Sequence, residues 1–146
     1  MKKSIDIRRG RHCVFILHAH LVFVAKYRRK VFTRETLLEL EKIFQKICSD
    51  FESTLQEFNG EKDHVHLLVN YPPKVSISKL VNSLKGASAR QLRKKKYPTI
   101  EKYLYGRHLW SPSYFASSCG GAPLTVLKDY IDQQKSPDCG AKSHLR

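Results

Sequence analysis

The chain has 146 residues, of which 41% are hydrophobic, and its 27 Lys and Arg against 13 Asp and Glu give a net charge of +14. This length supports one domain with a sizeable core, and the charge points to a polyanionic partner, usually nucleic acid. No apolar run is long enough to span a bilayer, and residues 1–6 lack the apolar core of a secretory signal, so a cytoplasmic protein without membrane attachment is expected.

Residues 12–25 alternate and are rich in Val, Phe, Ile and Leu, which predicts a strand. Phe15, Leu17, Leu21 and Phe23 share its core parity, and His18 and His20 share the other. The basic stretch Lys26-Tyr27-Arg28-Arg29-Lys30 follows. Thr33 is a plausible N-cap for a helix whose buried stripe is Leu37, Leu40, Phe44, Ile47 and Phe51. Residues 53–59 and 63–71 predict two further strands, with Asn59-Gly60 as a tight-turn signal between them. Val65, Leu67 and Val69 face one way along the second of these, His64 and His66 the other.

Pro72-Pro73 ends that strand. A second helix spans 76–95 on the stripe Ile77, Leu80, Val81, Leu84 and Leu92, and Tyr97-Pro98 breaks it. Residues 100–105 give no clear signal. A fourth strand is expected within 107–118, centred on Tyr114-Phe115-Ala116-Ser117. Gly120-Gly121 reads as a hinge, 123–134 as a short last helix with Pro123 in its first turn, and the tail from Ser136 as disordered. Cys13, Cys48, Cys119 and Cys139 form no Cys-x-x-Cys pair or zinc-finger spacing and read as free thiols.

The order strand, helix, strand, strand, helix, strand, helix predicts an α+β fold over residues 1–135. It is the ferredoxin-like, split β-α-β arrangement shared with RNA-recognition domains, an antiparallel sheet with helices on one face. A C-terminal helix is added to it. Right-handed crossovers place the first and third strands in the centre. Their histidine faces then look away from the two helices.

His64 and His66 stand two apart on a strand, so their imidazoles point to one spot and form a workable pair of metal ligands. Surface or packing histidines are the plainer reading of such a pair. Tyr130 and Gln134 share one face of the last helix, beside the stripe Leu124, Leu127 and Ile131. An interfacial tyrosine and a solvated glutamine are the plainer reading there.

The combination resembles the HUH single-tyrosine transposases of small bacterial insertion sequences and their domesticated relatives linked to repeated palindromes. The resemblance runs from about residue 12 to residue 134, through His20-Leu21-Val22-Phe23, Lys26-Tyr27-Arg28 and Asp63-His64-Val65-His66-Leu67-Leu68. It continues through Leu84-Lys85-Gly86, Trp110-Ser111-Pro112-Ser113-Tyr114-Phe115, Gly120-Gly121-Ala122-Pro123 and Tyr130-Ile131-Asp132-Gln133-Gln134.

The resemblance implies that Tyr130 is the nucleophile and that His64, His66 and Gln134 bind a divalent metal, Mg²⁺ or Mn²⁺. Zinc would suit the imidazoles on ligand type alone, whereas phosphate oxygens and waters would complete a Mg²⁺ shell. It also implies single-stranded DNA with hairpin ends as substrate, a 5′-phosphotyrosine intermediate and a homodimer. No general base is evident, and a metal-linked water is the first choice.

Lys26, Arg28, Arg29 and Lys30, with Arg90, Lys94 and Lys95, are the candidate phosphate contacts. His18 and His20 would support the site, touch phosphate or merely fill space. The main rival reading is a basic nucleic-acid-binding module of the same fold without catalysis. Such modules put base-stacking aromatics on the open faces of strands one and three, where this sequence has histidines. A metal-dependent hydrolase that uses water in place of Tyr130 is a second rival, and a replication or relaxation initiator of the wider HUH group a third.

Overall fold

Alternation along His18–Val24 and His64–Asn70 builds the centre of the molecule. A computed structural model describes residues 7–104, 108–118 and 124–134, with side chains of the last stretch from Lys128 onward. Two short strands, β1 (Arg8–Arg9) and β2 (Val14–Phe15), form a small hairpin. β3 (His18–Val24), β4 (Thr54–Gly60), β5 (His64–Asn70) and β6 (Phe115–Ser118) form an antiparallel sheet in the order β4-β5-β3-β6. This is the ferredoxin-like order, with the first and third main strands, β3 and β5, in the centre.

Helices α1 (Arg34–Asp50) and α2 (Ile77–Lys94) cover one face of the sheet. Leu21, Phe23, Val65, Leu67 and Val69 meet Leu40 and Phe44 of α1 and Leu80, Leu84 and Leu92 of α2 in one buried core. Phe23 is central to it, edge-on to Phe44 at 5.9 Å and to Trp110 at 5.7 Å. Thr33 caps α1 in a reciprocal capping box with Thr36, each side chain serving the other's backbone N–H. Of the predicted free thiols, Cys13 is exposed and Cys48 is buried in the core.

Several expectations change. The strand predicted over 12–25 is two strands, because Val14 and Phe15 leave the main sheet to pair with Arg9 and Arg8. Asn59-Gly60 is not the turn: Asn59 pairs with His66 and Gly60 with Val65 inside the ladder. The reversal falls at Glu61–Asp63, where the Glu61 N–H donates to the His64 carbonyl at 2.8 Å. A glycine suits position 60 because a Cβ there would meet the Leu37 side chain of α1. Pro98 opens a further helix, α3 (Pro98–Leu104), and buries Ile100 and Leu104 where the sequence gave no signal.

The histidine face is only partly open. Helix α4 (Leu124–Asp132) lies on it, with Ile131 packed on Val22 and Val24. The Gly120-Gly121 hinge, Pro123, the Ser136 tail and the side chains of Leu124 and Leu127 lie outside the described residues. No helix among the described residues is long and apolar enough to cross a membrane.

Phe23→Ala is expected to lower unfolding free energy by about 3–5 kcal/mol, as for other deleted core aromatics. Leu38→Ala, on an exposed side chain of α1, is expected to stay within about 0.5 kcal/mol. Urea unfolding of both variants checks the pair.

Candidate active site

Strand β5 carries His64 and His66 on the face opposite its core residues, with ring centroids 5.0 Å apart. His66 stacks on His20 of β3, with centroids 5.5 Å apart. Burial pushes the His66 imidazole down to about 4, and the neighbouring His64 and His20 add to the shift. Burial also lowers His20, against an opposing pull from Glu57. At neutral pH His66 is therefore uncharged and keeps a lone pair for a ligand.

His64 is oriented from behind. Its Nδ1 lies 2.7 Å from Asp63 Oδ1, and Arg28 Nε donates to Asp63 Oδ2 at 2.8 Å. Burial alone would raise the Asp63 carboxyl, but the hydrogen bonds and charges of His64 and Arg28 outweigh it and hold the group below the usual carboxylate range. An ionised carboxylate only accepts, so Nδ1 of His64 carries the proton that faces Asp63, which directs Nε2 away from the carboxylate. Carboxylate-backed imidazoles of this kind are common at metal sites.

The tyrosine helix docks beside this group. The Tyr130 ring lies 5.8 Å from that of Phe115, and its hydroxyl is 2.8 Å from Ser113 Oγ. Burial raises the phenol's pKa, and the Ser113 hydrogen bond opposes that rise. Gln134 Oε1 accepts a hydrogen bond from Ser111 Oγ. Asp132 Oδ1 accepts from Arg28 Nη1 at 3.0 Å. Arg28 thus links the carboxylate behind His64 to the helix that carries Tyr130. It does so from a strained backbone, since Tyr27 and Arg28 both adopt positive φ, 60° and 54°.

The fold therefore brings His64, His66 and Tyr130 to one sheet face, and Gln134 follows the same helix and meets Ser111. Among the described residues no three His, Cys, Asp or Glu side chains converge for a metal. The donors available to a divalent cation are His64 Nε2, the neutral His66 ring and the second lone pair of Gln134 Oε1. This set fits an ion that takes its remaining ligands from phosphate and water.

The predicted phosphate contacts divide between two regions. Lys26 and Arg29 hold their cations over the Tyr27 ring, at 5.6 and 5.2 Å, and Lys30 is exposed nearby. Arg29 also donates to the Tyr103 carbonyl at 3.1 Å, and Arg28 is committed to its two carboxylates. Arg90, Lys94 and Lys95 belong to the end of α2, on the helix side of the sheet, where Lys95 pairs with Glu39 at 3.0 Å. Sequence reasoning assigned no role to Asp63, Asp132, Ser111 or Ser113. The adjacency of Asp63 to His64 was a usable signal; the contacts of the other three depend on how α4 docks.

Comparison with known proteins finds relatives along most of the chain. The family described as IS200-like transposases matches residues 13–134. The ISDra2 transposase TnpA of Deinococcus radiodurans is 32% identical over 89% of this chain and 92% of its own. The transposase for insertion sequence element IS200 of Salmonella typhimurium is 32% identical over 82% of this chain and 77% of its own. A solved transposase-like chain from Deinococcus radiodurans superposes with a TM-score of 0.78 at 30% identity, covering 89% of this chain and 99% of that one. A REP-associated tyrosine transposase bound to a REP hairpin shares the fold, with a TM-score of 0.54 at 11% identity over 92% of this chain and 70% of that one.

The two carboxylates on Arg28 differ in burial, with side-chain exposures of 6% for Asp63 and 57% for Asp132. Asp63→Ala strands a part-buried guanidinium and an imidazole, and is expected to cost about 3 kcal/mol, the low end for a broken buried pair. Asp132→Ala is expected to cost under about 1 kcal/mol. Equal losses in chemical denaturation would contradict this ranking.

Proposed function

The chain belongs to the IS200-like transposase family, and from that premise we propose that it cuts and rejoins single-stranded DNA through Tyr130, aided by a divalent metal on His64, His66 and Gln134. One observation carries the reading: α4 sets Tyr130 on the sheet face that bears the two histidines, with Ile131 seated on Val22 and Val24. Val22 and Val24 pair directly with His66 and His64 across the β3–β5 ladder.

A tyrosine hydroxyl is a weak nucleophile at neutral pH, and burial of Tyr130 raises its pKa further, against the Ser113 hydrogen bond. A divalent cation, Mg²⁺ or Mn²⁺, held by these residues would withdraw charge from the scissile phosphate. Asp63 orients the His64 ring, and Ser113 Oγ holds the phenol oxygen at 2.8 Å. Tyr130 Oη bonds to phosphorus, the bond from phosphorus to the 3′ oxygen breaks, and the phenolic proton leaves to solvent. The products are a 5′-phosphotyrosine and a 3′-hydroxyl once that oxygen takes up a proton. Attack by another 3′-hydroxyl reverses the step and joins new ends. One phosphodiester replaces another, so no nucleotide hydrolysis is needed.

The substrate in this reading is single-stranded DNA folded into hairpins, and the working unit is a homodimer. The hairpin is supported by the REP hairpin held by the fold neighbour, the homodimer by the family resemblance. The net charge of +14 suits a DNA ligand.

The test uses end-labelled single-stranded oligonucleotides carrying the palindromes that flank the coding sequence, incubated with Mg²⁺ or Mn²⁺ and run on a denaturing gel. Label is expected to migrate with the wild-type protein and not with Tyr130→Phe. Tight binding without an adduct would favour the non-catalytic binding module, and cleavage without an adduct a hydrolase that uses water.

A further inference from the structure

We infer that Lys85 is a positioning residue, whose ammonium fastens the Ser111–Ser113 segment that in turn sets Tyr130 and Gln134. The inference rests on the proposed roles of those two residues, and the strap itself is a matter of geometry. Lys85 belongs to α2, in the layer on the far side of the sheet from the histidines. Its Nζ donates to the Ser111 carbonyl at 2.7 Å and to the Ser113 carbonyl at 3.0 Å. Pro112 between them has a fixed φ, so two anchored carbonyls leave the segment little freedom. The Ser111 N–H adds a third anchor, donating to the Val24 carbonyl at 2.8 Å.

The hydroxyls of the same two serines hold α4. Ser111 Oγ donates to Gln134 Oε1, and Ser113 Oγ lies 2.8 Å from the Tyr130 hydroxyl. One strap therefore has its carbonyls on a lysine and its hydroxyls on Tyr130 of α4 and Gln134 of the turn that follows it.

The ammonium is held at a cost. Burial pushes Lys85 down to about 8. Among the described residues no carboxylate pairs with it; the two carbonyls and the rings of Phe23 and Tyr114, at 5.9 and 6.0 Å, are its partners. Packing alone would be served by an uncharged side chain without the desolvation. A charge-assisted donor that reaches two carbonyls at once answers the need to fix the strap.

The experiment compares the full-length wild type, Lys85→Met and Lys85→Arg by amide hydrogen exchange, by hairpin-oligonucleotide affinity and by single-turnover adduct formation. In Lys85→Met, exchange at amides 128–134 is expected to rise at least tenfold while 64–70 stay at the wild-type level. Adduct formation is expected to slow at least tenfold with affinity within twofold, and Lys85→Arg to recover most of both. Wild-type protection of 128–134 in Lys85→Met would overturn the inference, as would uniform loss of protection across the fold. Should Lys85→Met fail to fold, Lys85→Gln is held to the same criteria. If the wild type forms no adduct but protection still responds to Lys85, the strand-transfer reading falls and the strap stands.

Discussion

The antiparallel ladder between β3 and β5, from His18↔Asn70 to Val24↔His64, is the constraint on which the rest of the structure depends. Side chains alternate along each strand, so one register decides which residues enter the core and which face the other way. Here Leu21, Phe23, Val65 and Leu67 are fully buried under α1 and α2, and the histidines occupy the opposite face. A slip of one residue would drive imidazoles into that core and lift its aliphatic residues out. The apolar packing that stabilises the sheet thus also fixes the spacing of the candidate metal ligands.

Onto this frame the described side chains of the tyrosine helix and the turn after it make one apolar contact and several polar ones. Ile131 on Val22 and Val24 supplies the burial, while Ser113, Ser111 and Arg28 hold Tyr130, Gln134 and Asp132 in turn. Exposed ion pairs such as Arg28–Asp132 are individually weak, so the docking depends on several contacts acting together. Arg28 is the joint between the two halves, since its other carboxylate, Asp63, orients His64.

Much of this was legible in the sequence. Period-2 alternation announced β3 and β5 and assigned the right face to His64 and His66, because a strand buried on one side repeats every two residues. Thr33 and the stripe from Leu37 onward announced α1. What escaped was set by tertiary context. Asn59-Gly60 carries a strong turn signal, yet Gly60 answers to the close approach of Leu37. Pro98 reads as the break after α2, and it opens α3 once Ile100 and Leu104 find the core. Arg28 was grouped with its basic neighbours as a phosphate contact, and composition cannot reveal that two carboxylates distant in sequence close on it. The serine strap lies in a recognised motif, but its carbonyl contacts to Lys85 leave no trace in residue type.

The central claim is that one phenol, Tyr130, carries the DNA strand. Its most direct test is to trap the reaction on a single-stranded hairpin, digest the DNA with nuclease and the protein with protease, and map the residual nucleotide by mass spectrometry. A nucleotide phosphate is expected on Tyr130 and on no other residue. A nucleotide on Tyr114, or on any side chain other than Tyr130, would contradict it.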